Sequence, residues 1–251
     1  MISSNNSRLK MLPIIYQSHD LIIYSYPLLM GLGWGTAYQI LSEIIPPNYS
    51  RVHFQFIFWG IFLSSWLAAK TLFLITLPAN LSEEVFGNLS FWMGGGFVFY
   101  GGLLGGMVFI VFFHKYIKKV SYELLWAILP ALTIGHGVGR IGCFLTGCCF
   151  GDVTTLPWGI YQHGHFRHPT QLLEAIFLIG LGIYLLKSKR EKYVLFIYYL
   201  LGYGSFRFFL EFLRGDTIRG SWLGLSPSQI ISLGLISLGL ISLRKPLISS
   251  T

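Results

Sequence analysis

Seven long apolar stretches, separated by short polar or proline-containing breaks, set the pattern of this chain. They run over Leu21–Leu41, His53–Leu77, Gly95–Phe113, Leu124–Val138, Gln171–Leu186, Tyr193–Phe212 and Ser228–Leu243. A helix needs roughly 20 apolar residues to cross the hydrocarbon core of a bilayer, and most of these stretches approach that length. The breaks are Pro46-Pro47, Pro78, the Lys115–Lys119 cluster, a long loop over Arg140–Pro169, the basic run Lys187–Lys192, and Gly215–Pro227. The pattern predicts an all-α integral membrane protein, one multi-pass domain over residues 1–251 with about seven transmembrane helices. No internal repeat of fixed period is visible.

Loop charge orients those helices. Arg51, Lys115, Lys118, Lys119, Lys187, Lys189, Arg190, Lys192, Arg244 and Lys245 fall on one side; Arg8, Lys10, Arg140, Arg167, Arg214 and Arg219 fall on the other. The richer side belongs in the cytoplasm. The N-terminus and the Arg140–Pro169 loop are then expected outside and the C-terminus inside. Met1–Asp20 is polar and mixed, with no short apolar core before small residues, so no cleavable signal peptide is expected.

Composition agrees. Hydrophobic residues make up 53% of the chain and charged residues 11%, about half the charged fraction of a soluble domain. The net charge of +8 lies beside apolar segments and suits an anionic membrane surface, which removes nucleic acid as an expected partner.

Against that background, a few polar residues stand out. Arg207, Glu211 and Arg214 recur at helical spacing on one face of the sixth segment, where each buried charge costs at least about 2.5–3.5 kcal/mol. They face a wet cavity, a substrate, or one another. His136–Gly151 holds Arg140 among Gly137, Gly139, Gly142, Gly147 and Gly151, glycines expected to interrupt a simple helix. A guanidinium at headgroup depth grips two phosphate oxygens with its planar fork, or merely snorkels to the interface. Glu174, early in the fifth segment, is a partner for an arginine. Thr170 reads as a helix cap after Pro169, and His163, His165 and His168 read as loop residues without a ligand. Gly101/Gly105 and Gly102/Gly106 are spaced for close helix packing, with Tyr100 beside them. All three cysteines lie within Cys143–Cys149. Their spacing matches no metal-ligand pattern, so no metal and no cofactor are expected. Small packed thiols are the simplest reading, and a disulfide from Cys143 to Cys148 or Cys149 is the alternative.

These blocks, in order, resemble the prolipoprotein diacylglyceryl transferases of bacteria. The resemblance runs through Tyr24–Leu29, Tyr100-Gly101-Gly102-Leu103, Gly139-Arg140-Ile141-Gly142, Gly147–Gly151, His168–Glu174, Phe206–Arg214 and Ser226–Gln229. It departs from the family pattern at Tyr100, which stands for a histidine, at Cys143, which stands for an asparagine, and at Cys148, which stands where an acidic residue is usual. The resemblance implies transfer of a diacylglyceryl group from phosphatidylglycerol to the lipobox cysteine thiol in the signal peptide of a prolipoprotein. It implies catalytic positions at Arg140, Arg207 and Tyr100. Substrate-binding positions follow at Tyr26, Gly102, Cys143, Thr146, Gly151, Glu211 and Arg214. The departures leave two rivals open: a paralogous phospholipid-dependent transferase with a different acceptor, and a non-enzymatic lipid-binding or transport protein.

Overall fold

The computed structural model describes residues 11–18, 22–76, 86, 91, 97–117, 121–215 and 224–244; the side chains of Phe99, Tyr100 and Tyr122 lie outside that description. Within it the chain is mostly helical. Seven long helices carry it: α1 (Ser25–Ile44), α2 (Arg51–Thr76), α3 (Phe99–Tyr116), α4 (Tyr122–Thr146), α5 (Thr170–Lys187), α6 (Lys192–Leu210) and α7 (Pro227–Arg244). Five of them, α2 and α4–α7, are long and apolar enough to cross a membrane. Each of the seven corresponds to one apolar stretch of the sequence.

The boundaries moved in two informative places. The first stretch does not start as a helix. Ile22–Tyr24 forms a strand, β2, paired antiparallel with β1 (Ile14–Gln17), and α1 begins only at Ser25. This hairpin docks on the end of α4, where Leu12 N–H donates to the Leu145 carbonyl at 2.9 Å. The fourth stretch runs longer than its glycines suggested. Helix α4 continues past Gly137, Gly139 and Gly142 to Thr146 and stops at Gly147, whose φ of 73° gives the left-handed turn that closes it. Arg140 therefore sits inside a helix, not at the start of a loop. Gly137, Gly139 and Gly142, expected to break the helix, instead let neighbours approach: a Cβ on Gly137 would stand 3.2 Å from the Ala175 carbonyl oxygen of α5.

Packing is pairwise: α1 on α4, α2 on α3, α4 on α5, and α6 on α7. Gly101 and Gly105 of α3 lie directly against the backbone of α2 at Ala68 and Ser64, so their spacing serves helix packing. Apolar residues line one core cluster, including Ala37, Phe54, Phe58 and Ala131. Many more point outward, such as Val52, Ile75, Val108 and Ile176. Lys70, Gln171, Glu174 and Arg207 are meanwhile buried. Apolar side chains outside with polar groups enclosed is the distribution expected when lipid is the solvent.

Between α4 and α5 the chain forms a small polar cap. Strands β3 (Ile160–Gln162) and β4 (His165–Arg167) pair antiparallel across a tight turn at His163 and Gly164, both with positive φ. The segment after α6 joins this cap: Asp152 N–H donates to the Leu213 carbonyl at 2.8 Å, and Gly151 bridges Arg214.

Candidate active site at the capped helix ends

The ends of α4 and α6 and the start of α5 converge beneath the cap, and they bring the charged residues together. Glu174 is the hub. Its Oε2 lies 3.0 Å from Arg140 Nε, its Oε1 lies 3.8 Å from Arg207 Nε, and its Oε1 accepts from the Tyr203 hydroxyl at 3.0 Å. Arg207 in turn meets Glu211 at 2.7 Å and donates to Ser228 Oγ of α7 at 3.0 Å. Glu211 also faces Arg214 at 3.9 Å. The side chains of Glu174, Arg207, Arg214 and Glu211 are all nearly enclosed, while Arg140 keeps 15% of its surface open. Among the described residues, three arginines and two glutamates meet in this group. No described residue accepts a hydrogen bond from the terminal nitrogens of Arg140, so its fork is left for an anion.

The loop that follows α4 is tied down from α5. Thr170 does not cap that helix, since the N-cap position is Pro169; its hydroxyl donates to the Cys149 carbonyl at 3.0 Å instead. Gln171 Nε2 donates to the Cys148 carbonyl at 2.8 Å. Both side chains are almost fully buried. A buried carbonyl needs a partner, and these two side chains supply it from the adjacent helix. Cys149 itself has a φ of 61°, a left-handed backbone that a non-glycine residue adopts at some cost. None of the three cysteines is in a disulfide, and their sulfur atoms all lie within 4.8 Å of one another. Hydrogen bonds from Cys143 and Cys148 hold the Cys149 thiol well below the ordinary thiol range, and the charges of Arg140 and Arg214 act in the same direction against the effect of burial.

Of the residues singled out in the sequence, Arg140, Arg207, Glu211, Arg214 and Glu174 are joined in one network, and Cys143 lies one turn beyond Arg140 on α4. Tyr26 packs on the same helix, its ring carbon 3.5 Å from where a Gly142 Cβ would be. Thr146 and Gly151 have backbone roles here. The Thr146 hydroxyl donates to the Gly142 and Cys143 carbonyls at 3.0 and 3.1 Å, and Gly151 is where the loop crosses His168 and Leu213 too closely for a side chain. Gly102 lies on α3 where it packs against Ser65 of α2. The side chain of Tyr100 falls outside the described residues. His163 and His168 are occupied within the protein, His163 Nε2 by the Gly147 carbonyl at 2.7 Å and His168 Nδ1 by Trp158 Nε1 at 3.2 Å.

Sequence reasoning passed over Lys70. It is completely enclosed in α2, with its ammonium over the rings of Phe91 and Phe97 at 4.1 and 4.0 Å and donating to the Phe91 carbonyl. Phe97 also meets Tyr26, so Lys70 stands behind the tyrosine that flanks α4. The signal was available: a lone lysine within an otherwise uncharged stretch of about 20 apolar residues carries the same cost as Arg207.

A family model described as prolipoprotein diacylglyceryl transferase matches residues 13–244. The chain is 35% identical over 240 residues to a protein of Clostridium tetani named phosphatidylglycerol–prolipoprotein diacylglyceryl transferase, covering 89% of this chain and 93% of that one. It is 34% identical to a Clostridium perfringens protein of that name numbered 2, covering 89% and 91%. A Pseudoalteromonas atlantica protein with the same name is 31% identical, covering 94% and 89%.

Proposed function

The chain belongs to the prolipoprotein diacylglyceryl transferase family, and we propose that it moves the diacylglyceryl group of phosphatidylglycerol onto the lipobox cysteine thiol of a prolipoprotein, releasing glycerol phosphate. The observation that carries this reading is the arginine–glutamate network, in which no described residue accepts a hydrogen bond from the terminal nitrogens of Arg140. A phosphodiester headgroup carries one negative charge and offers two oxygens to a guanidinium fork.

The reaction forms one carbon–sulfur bond and breaks one carbon–oxygen bond. The substrate thiolate attacks the glyceryl carbon next to the phosphate, and the electron pair of the broken bond passes to the phosphate oxygen. Arg140 holds the phosphate with its fork, and Arg207, whose terminal nitrogens meet Glu211 and Ser228, adds its charge to stabilise the charge that grows on the phosphate. Glu174 positions both arginines, and Glu211 and Arg214 continue the arrangement toward the cap. Tyr26, Gly102, Cys143, Thr146 and Gly151 form the surrounding walls and turns, and Tyr100 orients the thiol. An ordinary tyrosine, with a pKa near 10, is a weak proton acceptor at neutral pH. The network lies at the ends of membrane-embedded helices, where a two-chain lipid and the apolar part of a signal peptide both reach, so proximity is supplied by shared anchoring in the bilayer.

The same reading places one domain in a bacterial cytoplasmic membrane, with seven spans, the N-terminus and cap outside and the C-terminus inside. Its support is the excess of lysine and arginine at the other helix ends. A second reading, a paralogue with another acceptor, is favoured by Tyr100, Cys143 and Cys148, which alter the surroundings of the acceptor and leave the arginines in place.

Mass spectrometry of a lipobox peptide incubated with the purified protein and phosphatidylglycerol tests the proposal. The expected result is a mass gain of one diacylglyceryl group, absent when the peptide cysteine is replaced by serine. No gain, under conditions where a relative modifies the peptide, would move the assignment to the paralogue.

A further inference from the structure

The sulfurs of three cysteines gather beyond Arg140, close enough to one another to share a metal ion. Cys143 comes from the last turn of α4, and Cys148 and Cys149 come from the loop that the same helix runs into. Their sulfurs lie within 4.8 Å of one another, and the described residues add no fourth ligand to the group. Around zinc, with metal–sulfur bonds of about 2.3 Å, tetrahedral geometry sets sulfurs about 3.8 Å apart. Closing the trio around an ion therefore takes movements of about an ångström, within the reach of side-chain rotation.

The loop is also built to hold that arrangement. Two almost fully buried side chains from α5, Thr170 and Gln171, fix the carbonyls of Cys149 and Cys148, and Cys148 N–H donates to the Cys143 carbonyl at 3.1 Å. Gly147 and Cys149 both take left-handed backbone conformations, which turn the loop back on the helix end. A disulfide would engage two of these sulfurs and leave the third without a role. A thiophilic ion engages all three.

We propose that Cys143, Cys148 and Cys149 bind one zinc ion whose fourth position receives the thiol of the acceptor substrate. This rests on the transferase reading and deepens it. Three protein ligands with an open fourth position is the form of a catalytic zinc site, whereas structural zinc is closed by four. A thiol that coordinates zinc gives up its proton, which passes to water. The bound thiolate then attacks the glyceryl carbon: the carbon–sulfur bond forms, the carbon–oxygen bond breaks, and its electron pair leaves with glycerol phosphate. The product sulfur, now a thioether, is a weaker ligand than the thiolate it replaces and departs. Cys143 stands three residues after Arg140 on one helix, so the ion and the phosphate fork are neighbours. Zinc would thus perform the deprotonation for which Tyr100 is poorly suited.

The test uses the full-length protein in detergent. It is stripped with a chelator and titrated with zinc, or with cobalt as a spectroscopic substitute. The expected results are one metal per chain, a sulfur-to-cobalt charge-transfer band, and a shift of that band on adding a lipobox peptide but not its serine counterpart. A free thiol is only a few per cent ionised at neutral pH, so stripping the metal should slow lipid transfer by about tenfold or more, with recovery on adding zinc. Cys149→Ser should weaken the cobalt band. Failure to bind metal, or titration of a single free thiol where three are expected, would overturn the site. Full transfer by the metal-free protein would overturn its catalytic role and leave the transferase reading intact. A peptide-shifted cobalt band with no lipid transferred would uphold the thiol site and count against the transferase reading.

Discussion

Arg140 and Glu174 form an ion pair at 3.0 Å between Nε and Oε2, with no hydrogen bond from that nitrogen. The carboxylate counters the guanidinium charge from a neighbouring helix, while no described residue accepts a hydrogen bond from the terminal nitrogens of Arg140. Glu174 does this for a second arginine as well, at 3.8 Å, so one buried carboxylate lies between the two cations proposed to act on the headgroup.

Arg140→Lys separates positioning from charge. Lysine keeps the positive charge but loses both the Nε contact and the planar fork. Transfer to a lipobox peptide is expected to fall by about 100-fold or more, the scale of removing one donor to a developing oxyanion. Arg140→Ala and Arg207→Ala should each abolish measurable transfer. Near-normal rates in both would remove the phosphate-holding role from the mechanism.

Glu174→Gln tests the hub. The amide keeps the shape and can still meet Tyr203, but two arginines lose their common counter-charge. Breaking one partner out of a buried ion pair costs about 3–5 kcal/mol. The variant should melt at a lower temperature in detergent and lose transfer together with stability. A variant with wild-type melting and activity would show that the two arginines are held by other contacts.

The helical architecture was legible because a lipid-facing helix must be largely apolar: each of the seven apolar stretches became a helix, and five of these are long and apolar enough to cross a membrane. The charged residues were legible for the converse reason: Arg207, Glu211 and Glu174 stand in stretches where each charge is costly, and all three prove to be paired. Glycine was ambiguous. In Gly137–Gly142 it serves close helix packing, and only at Gly147 does it end the helix, a difference that depends on what lies opposite each residue. Thr170 looked like a cap because threonine beside a helix start usually is one. Its actual partner, the Cys149 carbonyl, is 21 positions away in sequence, and local pattern carries no information about it. The gathering of three sulfurs was hidden in the same way, since it depends on the left-handed turn at Cys149.

Gln171→Ala should loosen that turn. The change removes the partner of the buried Cys148 carbonyl, and an unsatisfied buried group costs about 1–3 kcal/mol. Alkylation of the cysteines by a small maleimide should become faster than in the wild type. Unchanged rates would mean that the loop holds its conformation without the tie to α5.

Gly135→Val probes the close approach of α1 and α4. A Cβ there would stand 2.9 Å from the Gly33 carbonyl oxygen, on backbone that cannot rotate away. Helices α1 and α4 must then separate, which also shifts Tyr26 relative to the arginine-bearing half of α4. Overpacking of this kind costs about 1–3 kcal/mol. Lowered thermal stability and reduced transfer should appear together, whereas valine at Gly31 of α1, with no atom within 4 Å of its Cβ position, should leave both near wild type.

Reporter fusions test the orientation. A fluorescent protein that matures only in the cytoplasm, fused after Lys189 or Arg244, should be bright, because both residues lie on the lysine- and arginine-rich side. A phosphatase that folds only outside the cytoplasm should be active when fused after Gly164, in the turn of the cap. The arginine–glutamate network lies directly beneath that cap, so the same fusions decide from which face the headgroup and the signal peptide must enter. A bright cytoplasmic reporter at Gly164 would invert the topology and move the proposed chemistry to the inner leaflet.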